Sequence, residues 1–171
     1  MGNLPSSYPY LEPCPGCFEN ALQALSEKAN NPYFVMNGDV DVCRFLHAFS
    51  RLIPKAKATL CLHAVYPSTL DCLEKMIVVG ELQCATVFCT EVNVMANTWE
   101  SKYPHVLICD AGCSAYLIDF EGESRSLTLS GYVPQNMGTG TLNLFTLYTD
   151  PEMCSGIRNL LKRHYKRYLS K

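Results

Sequence analysis

Three apolar runs of strand length, ATLCLHAV (58–65), CATVFCT (84–90) and HVLICD (105–110), are separated by stretches long enough to hold a helix. Strand, helix, strand in succession favours parallel pairing, because parallel neighbours need a crossover of about a dozen residues or more. The first crossover carries helix signals of its own. Pro67-Ser68 opens it, Ser68 with Asp71 reads as a capping box, Leu70, Leu73, Met76 and Ile77 form an apolar face, and Gly80 closes it. EVNVMANTWESKY (91–103) is read as the second crossover helix.

The flanking segments extend the pattern. YFVM (33–36) is a short strand turned by Asn37-Gly38, with Asp39 as a helix N-cap. In the helix that follows, Val42, Phe45, Leu46, Phe49 and Ile53 recur at helical spacing until Pro54 stops it. Downstream, Ala111-Gly112 turns HVLICD into CSAYLIDF (113–120) as a short hairpin. CSAYLIDF and SRSLTLSGY (124–132) then flank EGE, a second hairpin signal, and LNLFTLYT (142–149) is the last strand. Early alternation with a late run of strands predicts an α/β fold: a mixed sheet of about seven strands flanked by helices on both faces. Residues 1–17, broken by Pro5, Pro9, Pro13 and Pro15, read as an irregular arm. FENALQALSEKAN (18–30) opens a single domain that runs to residue 171.

The last helix, from Asp150, is the one strong electrostatic signal. Asp150 can cap it, Pro151 suits its first position and Glu152 complements its dipole. Residues 153–171 hold six Lys and Arg and no acid, while the preceding residues are acidic overall, with eight Lys and Arg against sixteen Asp and Glu. On a helical wheel Met153, Ile157, Leu160, Leu161, His164, Tyr165 and Tyr168 share one side. Arg158, Lys162, Arg163, Lys166 and Arg167 take the other. This is either a solvated face or a contact for nucleic acid.

Ten cysteines are spread along the chain, several of them inside apolar runs, where a thiol behaves as a small hydrophobe. MGNLPSSYPYLEP has no basic region followed by an apolar stretch, so no secretory leader is read there and a cytoplasmic address with reduced thiols is expected. CPGC (14–17) has three readings: a helix start with incidental thiols, half of a metal site, or a redox pair. A thioredoxin-like motif would follow a strand, whereas a Pro-rich arm precedes this one. No P-loop, GxGxxG, GxSxG or HExxH is present, and no cofactor is expected.

From residue 33 onward the order of elements resembles the phospholipase D-like (HKD) phosphodiesterase superfamily. HVLICDAGCSAYLIDF resembles the two strands where that family carries H-x-K. SLTLSGYVPQN resembles its strand and loop with G-S-x-N, and TLNLFTLYTDPEM with RNLLKRHY resembles its late Glu strand and closing helix. The resemblance implies a phosphohistidine intermediate, Lys and Asn on the phosphate oxygens, and a homodimer that pairs two half-sites. Carried over by position, the motif is degenerate. If His105 is the nucleophile, the Lys position falls on Leu107; if the motif begins at Cys113, it falls on Ala115. The G-S-x-N positions read Gly131, Tyr132, Val133 and Pro134, and the Glu position falls near Asn143.

Without a cation on the phosphate, charge developing in the transition state has no stabiliser. The expectation is therefore a non-catalytic binding module for nucleic acid or a protein partner. The alternative is a Cys/His-dependent enzyme, or a metal-binding protein that uses CPGC.

Overall fold

The computed structural model describes residue 27 and residues 33–36, 38–92, 101–112, 115–132 and 143–166. The N-terminal arm, CPGC and nearly all of the FENALQALSEKAN segment lie outside the described residues. The elements run β1 (Tyr33–Met36), α1 (Gly38–Leu52), β2 (Ala56–Val65), α2 (Pro67–Val78), β3 (Leu82–Val92), β4 (Val106–Asp110), β5 (Ala115–Glu121), β6 (Ser126–Tyr132), β7 (Asn143–Tyr148) and α3 (Pro151–His164). No described helix is long and apolar enough to cross a membrane.

One seven-stranded mixed sheet has the order β1-β7-β6-β5-β2-β3-β4. β2, β3 and β4 are parallel; the pairs β2–β5, β5–β6, β6–β7 and β1–β7 are antiparallel. The hairpin around EGE forms, with Glu121 opposite Ser126. The hairpin expected between HVLICD and CSAYLIDF does not. β4 pairs with β3 at the sheet edge, and β2 and β3 stand between it and β5. The Ala111 N–H still donates to the Cys89 carbonyl at 2.9 Å, so hydrogen bonding to β3 continues into the first residue of the expected turn. Of the expected helix 91–103, Glu91 and Val92 belong to β3, residues 93–100 are not described, and Ser101 and Lys102 are helical.

α2 begins differently from its sequence signal. Its N-cap is Tyr66, with no side-chain cap, and Ser68 lies inside the first turn. Pro67 sets this start, because its fixed φ suits the first helical position and it has no N–H to satisfy. The helix ends as Gly80 predicts. Gly80 takes φ +83°, and the Glu81 N–H closes back onto the Met76 carbonyl at 2.8 Å, which satisfies an orphan acceptor.

The strands sort their residues by parity onto two faces. Ala56, Ala58, Leu60 and Leu62 of β2 join Phe120, Leu127 and Leu129 under α1 and α2 in the main core. The five positions expected to form the apolar stripe of α1 are all buried there. Aromatic rings knit the layer: Phe49 meets Phe120 edge-on at 5.3 Å, and Tyr116 meets Phe145 at 5.2 Å. On the opposite face, Cys61, Phe88, Cys109 and Leu117 pack against Ile157, Leu161 and Tyr165 of α3. Helices thus cover both faces. Cys61, Cys89 and Cys109 are buried, as expected of cysteines in apolar runs, and Cys154 of α3 is buried as well.

Candidate functional site

Strand polarity decides which residues can meet. Cys61 pairs with Leu117 in an antiparallel register, so the start of β5 lies at the carboxyl ends of β2, β3 and β4. The end of β6 and the start of β7 lie there too, because Ala115 pairs with Tyr132 and Gly131 with Phe145. Ligand sites in open α/β sheets gather at this end. Ala115, Gly131, Tyr132 and Asn143 are therefore brought to one end of the sheet. Cys113 and Pro134 lie outside the described residues.

His105 is not among them. It precedes β4, at the other end of the sheet, and its side chain is about half exposed. Its backbone N–H donates to Glu74 Oε1 at 2.9 Å, and its Nδ1 contacts the same carboxylate. His105 is thus tied to α2, away from the sheet end that holds Ala115, Gly131 and Tyr132.

Among the described residues a buried, multiply hydrogen-bonded carboxylate lies on the α3 side of the sheet. Asp119 is 1% exposed, in the same strand phase as Leu117. Its carboxylate accepts from the Thr128 hydroxyl at 2.6 Å and from Arg158 Nε and Nη2 at 2.7 and 3.1 Å. Arg158 Nη1 also reaches Glu121 at 3.3 Å. Burial pushes the Asp119 carboxyl above its ordinary range, against the pull of Arg158 and Thr128. Burial works in the opposite sense on Arg158, but Asp119 outweighs it and holds the guanidinium firmly charged. Arg158 is therefore an internal ion-pair partner, not an outward cation.

That pair also sets the rotation of α3. The Asp150 side chain caps the helix by accepting from the Met153 N–H at 3.0 Å, as expected. The side turned to the sheet, however, runs through Cys154, Arg158, Leu161 and Tyr165, while Met153, Leu160 and His164 are exposed. The expected apolar stripe is rotated because Asp119 draws Arg158 inward. Tyr165 fixes the far end: its ring stacks on Phe88 at 4.1 Å and its hydroxyl donates to the Gly112 carbonyl at 3.1 Å. Tyr165, just past α3, therefore arrives at the same sheet end as Ala115, Gly131 and Tyr132. Lys162, Arg163 and Lys166 are exposed, and Arg167 lies outside the described residues.

Beside α3 a groove of about 250 Å³ is lined by Lys57, Thr59, Thr86, Arg158 and Lys162. Among the described residues no cluster of three or more His, Cys, Asp or Glu could hold a metal ion.

Sequence reasoning missed two groupings. An acidic residue in the buried phase of a strand, as Asp119 is in CSAYLIDF, signals that a cationic partner must exist. The other grouping, Cys43 and His47 facing Cys72, left only the one-turn spacing of Cys43 and His47 as a trace.

No family model and no curated protein matches this chain. The solved structures that it is weakly similar to include two. One is polyphosphate kinase from Porphyromonas gingivalis, at a TM-score of 0.48 and 9% identity, over 85% of this chain and 21% of that one. The other is TrmBL2, an archaeal chromatin protein with a novel mode of DNA binding, at a TM-score of 0.48 and 8% identity, over 87% of this chain and 59% of that one. The chain thus spans about a fifth of the first and less than two thirds of the second.

Proposed function

We propose that this chain is a non-catalytic phospholipase D-like binding module, and that it takes up a nucleic-acid backbone along the outward face of α3. The observation that carries the reading is how the basic residues of α3 divide. Arg158 turns inward to Asp119, while Lys162, Arg163 and Lys166 remain exposed on a helix with no acid after Glu152. Clustered cations of this kind gain affinity by releasing counterions from phosphates, without reading sequence. The acidic remainder of the chain repels phosphates elsewhere and confines contact to this face. Loss of catalysis follows from the degenerate motif, whose Lys position is Ala115 or Leu107. The homodimer implied by the same resemblance would present two such helices to one duplex.

The double variant Lys162→Gln/Arg163→Gln tests this. Binding to duplex DNA should weaken uniformly across sequences, and the salt dependence should lose about two counterions. Equal affinity and an equal salt slope in variant and wild type would exclude α3 as the contact.

A further inference from the structure

α1 and α2 cover the same face of the sheet, and where they meet they bring sulfur together. Cys43 and His47 lie one turn apart on α1, and Ser68, Cys72 and Met76 follow at the same spacing on α2. Cys72 Sγ stands 3.6 Å from His47 Nε2 and 3.7 Å from Met76 Sδ. Cys43 Sγ lies 3.7 Å from the carbonyl of Ser68, which stands one helical turn before Cys72 on α2. Both are half-buried, in the wall of an open cavity of about 360 Å³ between the helices. A small solute can therefore reach them, which separates this pair from the thiols sealed in the core.

The pair is also asymmetric. The hydrogen bond from Cys72 lowers Cys43 to about 7, against the effect of burial. The same bond and burial push Cys72 well above the ordinary thiol range. The titratable groups around them are His47 from α1, Asp71 and Lys75 from α2, and Glu81 just beyond it. One sulfur is thus poised as a thiolate and the other keeps its proton, an arrangement that suits attack followed by resolution.

We propose that Cys43 and Cys72 are an oxidisable thiol pair that reacts with hydroperoxides and closes to a disulfide across α1 and α2. The Cys43 thiolate attacks the distal peroxide oxygen. The O–O bond breaks, the departing alkoxide or hydroxide takes a proton from water, and Cys43 becomes a sulfenic acid, oxidised by two electrons as the peroxide is reduced by two. The Cys72 sulfur then attacks the Cys43 sulfur and passes its proton to His47 Nε2. The S–S bond forms, and hydroxide leaves and is protonated to water. His47 is a positioning and proton-accepting residue for this second step, not the nucleophile. The site is independent of the nucleic-acid reading, since it lies on the opposite face of the sheet from α3.

The test treats the full chain with stoichiometric hydrogen peroxide at neutral pH, blocks the remaining thiols by alkylation, and maps the peptides by mass spectrometry. A peptide linked through Cys43 and Cys72 is expected. In untreated protein Cys43 should alkylate about tenfold faster than the exposed Cys84 at neutral pH, because the Cys43 thiol is lowered to about 7. Cys72→Ser should leave a Cys43 sulfenic acid that dimedone traps, and His47→Gln should slow disulfide closure but not the first oxidation. Two results would overturn the proposal: Cys43 oxidised and alkylated no faster than Cys84, or Cys43 linked instead to another cysteine such as Cys14 or Cys17. The wild-type map decides the matter even if the variants fold poorly.

Discussion

Arg158→Ala is expected to destabilise the protein by about 3–5 kcal/mol, because it strands a buried carboxylate without its partner. Asp119 is 1% exposed and would keep only the Thr128 hydroxyl among the hydrogen bonds now fixed at its oxygens. The pH dependence has a definite sign. Burial already holds Asp119 above its ordinary range in the folded chain. A carboxyl with a raised folded-state pKa binds more protons folded than unfolded, so its contribution to stability is greatest in acid. That contribution falls as pH rises from the unfolded carboxylate value through the raised one. Removing Arg158 removes the strongest opposing influence and widens the window. The deficit of Arg158→Ala relative to wild type should therefore be small in acid and grow toward neutral pH, read as the shift in urea midpoint across a pH series. An equal deficit at every pH, or one largest in acid, would contradict the ion-pair reading. The double variant Asp119→Asn/Arg158→Met, which removes both charges, should lose less than Arg158→Ala alone.

Phe49→Ala is expected to cost about 3–5 kcal/mol by opening a cavity in the main core. The side chain is fully buried and sits edge-on between Phe45 at 6.2 Å and Phe120 at 5.3 Å. Each such aromatic pair adds about 0.5–1.5 kcal/mol beyond area burial. The loss is a large share of the roughly 5–15 kcal/mol that a domain of ordinary stability possesses. Phe49→Leu keeps most of the volume and should lose much less. Leu160→Ala, at a position 60% exposed, should stay within about 0.5 kcal/mol of wild type. A Phe49→Ala loss no larger than that of Leu160→Ala would mean that α1 does not anchor this face.

What could be read from the sequence was local. The stripe Val42, Phe45, Leu46, Phe49 and Ile53 needs only helical periodicity, and each of these residues is buried. The Asp150 cap needs only its neighbours, and it forms. What could not be read was which element lies beside which. HVLICD reads as a strand, but nothing in the run says that its neighbour is β3 rather than the segment that follows it. The rotation of α3 depends on an acid 39 residues earlier in the chain, and the approach of Cys72 to His47 spans 25. A helical wheel sorts residues by polarity, so it set Arg158 with the solvent-facing cations. A buried carboxylate reverses that assignment, because leaving it unpaired costs more than turning one arginine inward. Of the positions expected to share one site, Ala115 lies opposite Tyr132 at one sheet end, whereas His105 lies at the other.

The most direct measurement is the fluorescence anisotropy of a labelled DNA duplex titrated with the full chain, at low and at near-physiological salt. Binding at low salt that weakens linearly in log–log form, with a slope of about three or four counterions, is the result expected if the exposed cations of α3 meet phosphates. No binding at low salt, or binding indifferent to salt, would contradict a nucleic-acid role and leave the basic face of α3 as solvated surface.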